Sequence, residues 1–519
     1  MMKKIRNLLL PTLFLALFSA QLHANNIQIS NISLTRQNTT SDFTMVQLDL
    51  TWENSWRISG GPSNWDAAWV FVKYRVGSGP WLHAFLDNSG HNTGSGTAAT
   101  ITPGLLNSAN AFNATTNPAM GAFVHRSGNG AGTFTQTGLQ LRWNYGANGI
   151  ADGDAVDIKV FAVEMVFVPS GSFQVGDGTT TSVQGQFRNG STNTPLTISS
   201  ENALTLGGTT NGNLANNNNT GMFTADDFNN TTSIILPAAF PKGFNAFYCM
   251  KYEISQQQWI DFFNVLDNTQ KTNRDLTGGT YNSTGKASDA VTNRNNISWT
   301  SGDATLNGGT FGNVACNFLS RMDGAAFADW AALRPMTELE FEKACRGTLT
   351  PVVNEFAWGT TTITGATGIS NSGANNEVAS NAGANAVFNN NASVQGPLRV
   401  GGFATASSSR EQAGASYYGI MELSGNLWER TVSVGNATGR NFTAPIHGNG
   451  LLTNDGFCDI STWPGFVTNK VTGATGTGFR GGDWDTTSIR LRASDRRFAS
   501  FVPTERNVHY GFRAVRSVP

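Results

Sequence analysis

From Ile27 to Val160 the chain alternates apolar and polar positions in short runs. Ile27-Gln28-Ile29-Ser30-Asn31-Ile32-Ser33-Leu34 alternates with one slip at Ser30-Asn31, the pattern of a β-bulge. Val46-Gln47-Leu48-Asp49-Leu50-Thr51-Trp52 alternates cleanly, and Ala68-Trp69-Val70-Phe71-Val72-Lys73-Tyr74 is a more continuous apolar run. Leu139-Gln140-Leu141-Arg142-Trp143 and Val156-Asp157-Ile158-Lys159-Val160 repeat the two-residue period. Such runs, separated by Gly, Asn and Ser clusters, predict an all-β sandwich of about seven strands over residues 25–163. Its tryptophans (Trp52, Trp56, Trp65, Trp69, Trp81) read as core and edge packing rather than a sugar platform.

Beyond 164 the period changes. Ser255 is a natural helix N-cap, and Trp259, Phe262, Phe263 and Leu266 then fall on one helical face. A second helix is predicted over about Ala325 to Ala332. A third starts at Thr337, where Thr337 and Glu340 form a capping box and Gly347 provides the stop. Polar stretches at 177–232, 270–310 and 360–415 read as elaborated loops.

Composition narrows the function classes. The net charge is -1 and only 13% of residues are charged, so no long-range field draws in nucleic acid or anionic lipid. Thirteen Trp and 33 Phe argue for a packed protein. Lys3, Lys4 and Arg6 precede an apolar stretch from Leu8 to Ala20, which predicts a secretory signal over residues 1–24 and an exported protein. No segment predicts a transmembrane helix. Export permits disulfides among Cys249, Cys316, Cys345 and Cys458, with three full pairings open.

Four motifs occur in a fixed order. They are Leu333-Arg334-Pro335-Met336-Thr337-Glu338-Leu339-Glu340-Phe341-Glu342-Lys343-Ala344-Cys345-Arg346-Gly347, Gly419-Ile420-Met421-Glu422-Leu423-Ser424-Gly425-Asn426-Leu427-Trp428-Glu429-Arg430, Arg480-Gly481-Gly482-Asp483-Trp484 and Tyr510-Gly511-Phe512-Arg513. Together they resemble the formylglycine-generating enzyme (sulfatase-modifying factor) family over about 164–519. The resemblance implies an α+β variant of the C-type-lectin fold following the β-sandwich. In active members a cysteine pair between the third and fourth motifs binds Cu(I) through its thiolates. Here Asp485 to Tyr510 contains no Cys, so no copper cofactor and no formylglycine-generating activity are expected. A related branch binds iron through clustered histidines. His83, His91, His125, His447 and His509 are scattered, and each reads as structural or solvated.

The resemblance also implies a calcium site at Glu422, Gly425, Leu427 and Glu429, with carboxylate and carbonyl oxygens as ligands. Asp485, Thr487, Ser488 and Arg490 are the candidate ligand-binding residues, since they open the interval that carries the family's chemistry. The C-terminal arginines read as ion pairs that pin irregular loops. The resulting reading is a ligand-binding or surface-interaction module with a catalytically altered domain, whose partner is a glycan, a peptide or a surface protein. One alternative is an oxidoreductase or other enzyme of the superfamily that uses different cleft residues. Another is a variable binding protein of a diversity-generating retroelement.

Overall fold

The computed structural model describes residues 26–178, 183–279, 285–443 and 447–518. The signal segment expected over residues 1–24 lies outside the described residues. The strands used below are β1 (Gln28–Asn38), β2 (Phe43–Arg57), β3 (Asp66–Val76), β4 (Ala99–Leu105), β5 (Ala119–Arg126), β6 (Gly130–Trp143) and β7 (Val156–Val168). They continue with β8 (Phe247–Met250), α1 (Gln256–Phe263), α2 (Arg321–Trp330), β9 (Arg334–Pro335) and α3 (Glu338–Arg346). The C-terminal elements are β10 (Trp428–Val432), β11 (Thr477–Arg480), β12 (Tyr510–Gly511) and β13 (Ala514–Ser517).

The first region has two sheets face to face. β1, β2 and β6 pair in that order, and the slip at Ser30-Asn31 is a register shift with Asn31 at φ +53°. The second sheet runs β4-β5-β3-β7. Alternation explains the core between them: Val46, Leu48, Leu50 and Trp52 of β2 meet Ala68, Val70, Val72 and Tyr74 of β3. Trp52 stacks on Phe134 and Trp65 on Phe167, so the tryptophans are distributed through the packing.

The second sheet does not end at the boundary expected between 163 and 164. β7 crosses that position, pairing with β3 through Val166 and with β8 from Met165 to Val168. β13 and then β9 extend the same sheet. The opposite face of β3 explains the continuity. Ala67, Trp69 and Phe71 point away from the sandwich core into a second core with Phe262, Phe327 and Trp330 of the helices. A strand buried on both faces reads as one apolar run, as the sequence of β3 does.

The helices start where their caps predict. Ser255 and Gln258 form a reciprocal capping box at α1, and Thr337 and Glu340 form another at α3. α2 begins at Arg321, earlier than expected, because Ser320 and Asp323 supply a third box. The segment 177–232, expected as a loop, contributes short strands to a four-stranded sheet closed by Ile234–Leu236. Its isolated apolar residues, Leu206, Leu214 and Phe228, are buried in the main core. All four cysteines are buried and free.

Candidate functional site

β10 is the centre of the site. It pairs antiparallel with β11 and parallel with β12, which brings three of the four motifs into one small sheet. Backbone bonds lock them: Gly425 donates to the carbonyl of Gly481 (2.8 Å), Trp484 to that of Asn426 (2.9 Å) and Trp428 to that of His509 (2.9 Å). Gly425 has φ +97°, and a Cβ there would lie 2.6 Å from the Val387 carbonyl oxygen, so only glycine fits.

A cleft of about 140 Å³ opens beside this sheet. Its walls are Trp428, Phe479, Phe498, Phe501 and Tyr510. Its polar side is Asp483, Asp485, Thr486 and His509. The exposed ring of Phe223, from the 177–232 segment, packs edge-on to Phe501 at 4.7 Å and extends the aromatic wall. His509 Nδ1 is in ion-pair contact with Asp483, and its Nε2 lies 3.8 Å from Asp485. Trp484 stacks on the imidazole at 5.3 Å. Burial pulls the His509 pKa down, but the bond to Asp483 and the charges of Asp483 and Asp485 outweigh it, so the pKa lies above the usual histidine value.

Of the four residues expected to bind ligand, Asp485 lines this cleft. Thr487 and Ser488 lie just beyond it, where a single 3₁₀ turn spans Ser488–Leu491. Arg490 turns toward the scaffold, donating to Gln184 (2.6 Å) and Asp495 (3.1 Å). Sequence reasoning missed His509, Asp483 and the aromatic wall.

The expected calcium residues come together in a buried carboxylate group. Glu429 Oε1 accepts from Arg513 Nε (2.7 Å) and Nη2 (2.6 Å), and its Oε2 has no partner among the described residues. Glu422 Oε1 accepts from the Gly401 amide (2.6 Å), and its Oε2 is also unpartnered. A third carboxylate, Glu253, braces the segment through the Leu427 amide (3.0 Å) and Asn426 Nδ2 (2.5 Å). Burial raises all three; for Glu422 the pKa is pushed up to about 7, partly offset by Arg513. Two buried carboxylate oxygens without hydrogen bonds fit a hard cation in kind. Among the described residues no group of three or more His, Cys, Asp or Glu is arranged to hold a metal ion. Glu429 is, moreover, already shared with a guanidinium.

Copper(I) does not fit the cleft. Its lining has no thiol, so it lacks the soft sulfur ligands that copper(I) prefers.

Residues 157–518 match the sulfatase-modifying factor enzyme 1-like domain. The chain belongs to this family. The match begins in β7 and takes in the small sheet, the cleft and the carboxylate group. No curated protein matches the chain. No helix among the described residues is long and apolar enough to cross a membrane. As a member of the sulfatase-modifying factor family, the chain keeps its four ordered motifs as structural joints. The motif arginines and acids form buried pairs, such as Arg513 with Glu429 and Arg480 with Glu342 (2.8 Å).

Proposed function

We propose that this chain is an exported binding protein, in which a β-sandwich precedes a C-type-lectin-like sulfatase-modifying-factor domain that does not perform the family's copper-dependent oxidation. The cleft beside β10 is the ligand site. The observation that carries this reading is its lining: five aromatic rings, two carboxylates and an imidazole, with no sulfur. Aromatic faces with a few convergent polar groups suit a glycan or peptide side chain from a surface partner.

The test is capture on glycan and peptide arrays by the mature chain, with Phe501→Ala and Asp485→Asn as cleft variants. Capture by the parent and loss by both variants at unchanged melting temperature is the expected result. In parallel, a sulfatase-type cysteine peptide with added copper should yield no formylglycine by mass spectrometry. Product above the no-protein control would overturn the reading.

A second reading has one specific support. An imidazole held between Asp483 and Asp485 in a cleft is also the arrangement of a general acid or base. Turnover of an array ligand that is abolished in His509→Gln, with binding retained, would favour an enzyme with different cleft chemistry.

The carboxylate group is proposed as a calcium site through Glu422 and Glu429, with the backbone of Gly425 and Leu427. Calcium bound only to the native state stabilises by about 2.7 kcal/mol at roughly 100 times the dissociation constant. Melts in calcium and in chelator should therefore separate, and Glu422→Gln should close the gap. Coincident melts for the parent would remove the site.

A further inference from the structure

Most buried arginines in this protein meet a carboxylate; Arg516 instead donates to the carbonyls of Ala332 and Leu105, and two others depart further. Arg346, Arg480, Arg496, Arg506 and Arg513 are each enclosed and each meet a carboxylate within 3.3 Å. Arg321, the first residue of α2, and Arg430, in the middle of β10, are just as deeply enclosed, at 0% and 1% exposure. Neither forms an ion pair among the described residues. Each makes a single hydrogen bond, Arg321 Nη2 to the Pro464 carbonyl (3.2 Å) and Arg430 Nη2 to the Pro503 carbonyl (2.7 Å). On both side chains Nε and Nη1 are buried donors without an acceptor. The indole Nε1 of Trp463, beside Pro464, is a further buried donor in the same condition.

The two guanidiniums lie in one region: the Leu319 amide, two residues before Arg321, donates to the Tyr510 carbonyl (3.1 Å), and the Arg430 guanidinium sits over the Tyr510 ring at 5.5 Å. Burial, with Arg321 adding to it, draws the Arg430 pKa down to about 9. The ionisable neighbour of Arg321 is the Cys458 thiol, which burial keeps protonated and therefore uncharged. Phe479 offers its ring face to Arg430 at 4.1 Å, a partial compensation that leaves the N–H donors unmet. Glu505 adds a favourable charge at longer range without pairing. An uncompensated buried charge is strongly unfavourable, and a guanidinium does not relieve it by losing its proton.

We propose that Arg321 and Arg430 together hold a small monovalent anion of the halide class, with Trp463 as an additional donor. The site is donor-rich and poor in acceptors, which selects against a cation. Its enclosure favours an ion small enough to be surrounded by N–H groups over a bulky phosphate or carboxylate. The anion would join the start of α2 to the central strand of the cleft sheet, so the site is structural and independent of what the cleft binds.

The experiment uses the mature chain in sodium chloride, sodium bromide and sodium gluconate at one ionic strength, which holds general screening constant. The melting temperature should rise with chloride or bromide by roughly 2–4 °C over gluconate. Arg430→Met and Arg321→Gln should each lose that dependence. Crystals grown in bromide should show an anomalous peak against Arg321 and Arg430. This readout needs no variant, so it stands if a variant fails to fold. Ordered water without anomalous signal, or equal melting in all three salts, would overturn the proposal.

Discussion

Replacing Arg496 by Met should destabilise the protein by about 3–5 kcal/mol, the cost of leaving buried carboxylates without their cation. Arg496 is fully enclosed. Its Nε and Nη2 donate to the two oxygens of Glu338 (2.7 and 3.0 Å). Its Nη1 donates to Asp226 (2.8 Å) and to the Gly185 carbonyl (2.8 Å). Met fills a similar volume and restores none of these bonds. Glu338 keeps Arg480 at 3.3 Å, while Asp226 retains only neutral donors, Asn216 and Ser500. The comparison is Arg75→Met, which breaks an exposed pair with Asp157 (2.8 Å; side chains 38% and 58% exposed) and should cost less than about 1 kcal/mol. Urea unfolding of both variants checks this. Similar losses for the two would refute the claim that the buried network secures the fold.

The effect should reach the cleft as well. Asp226 belongs to the 177–232 segment, and Arg496 precedes Phe498 and Phe501 of the cleft wall. The ion pair is thus a tie between the segment carrying Phe223 and the wall that Phe223 packs against. Loosening it should weaken ligand capture even at temperatures where the variant is folded.

What could be read from the sequence followed from periodicity and local chemistry. The strands around Leu48 and Val70 show a two-residue period, and the capping boxes at Ser255 and Thr337 are set by contacts three residues apart. The C-terminal arginines were legible as loop-pinning ion pairs, and Arg480, Arg496, Arg506 and Arg513 are that. The 177–232 segment was not legible as sheet. Strands such as Leu204–Leu206 and Leu214–Asn216 are three residues long, too short for any period to register. Nor was the continuity of the sheet through β7, because the partner β8 lies about 80 residues further along and pairing at that range leaves no local mark.

The cleft was hidden for a similar reason. Trp428, Phe479 and Tyr510 each look like core taken singly, and all three are indeed buried. Only their convergence makes a wall. His509 carried no ligand spacing and read as structural or solvated; its environment is set by Asp483 of the preceding motif and by Asp485 just after it. Asp485 was found because it opens the interval after that motif. Arg490 was chosen on the same ground, yet its side chain is drawn off by Gln184, which lies in the 177–232 segment and could not be placed from sequence.

Phe512→Ala should cost about 3–5 kcal/mol, and the loss should be partly recovered by Gly324→Ala. Phe512 is 1% exposed, and its carbonyl accepts from the Ile254 amide (3.0 Å), so it joins the last motif to the start of α1. Its ring lies flush on α2 at Gly324. A Cβ added at Gly324 would come within 2.2 Å of Phe512 Cδ2, closer than two carbons can approach. In the parent, Gly324→Ala should therefore destabilise by about 1–3 kcal/mol through overpacking, despite the roughly 1 kcal/mol that alanine gains over glycine in a helix. Once the ring is gone the same methyl meets space instead of carbon, and both the strain and part of the cavity disappear. The double variant should then be more stable than the sum of the single losses predicts, by on the order of 1–3 kcal/mol. Urea denaturation of the four proteins, with slopes compared to confirm a common unfolded state, measures that coupling. Additivity within about 0.5 kcal/mol would mean that the ring does not dictate glycine at 324. A favourable coupling would show that the Gly-Phe-Arg motif acts first as packing, closing α2 against the residues that directly follow β12, whose Tyr510 forms part of the cleft wall.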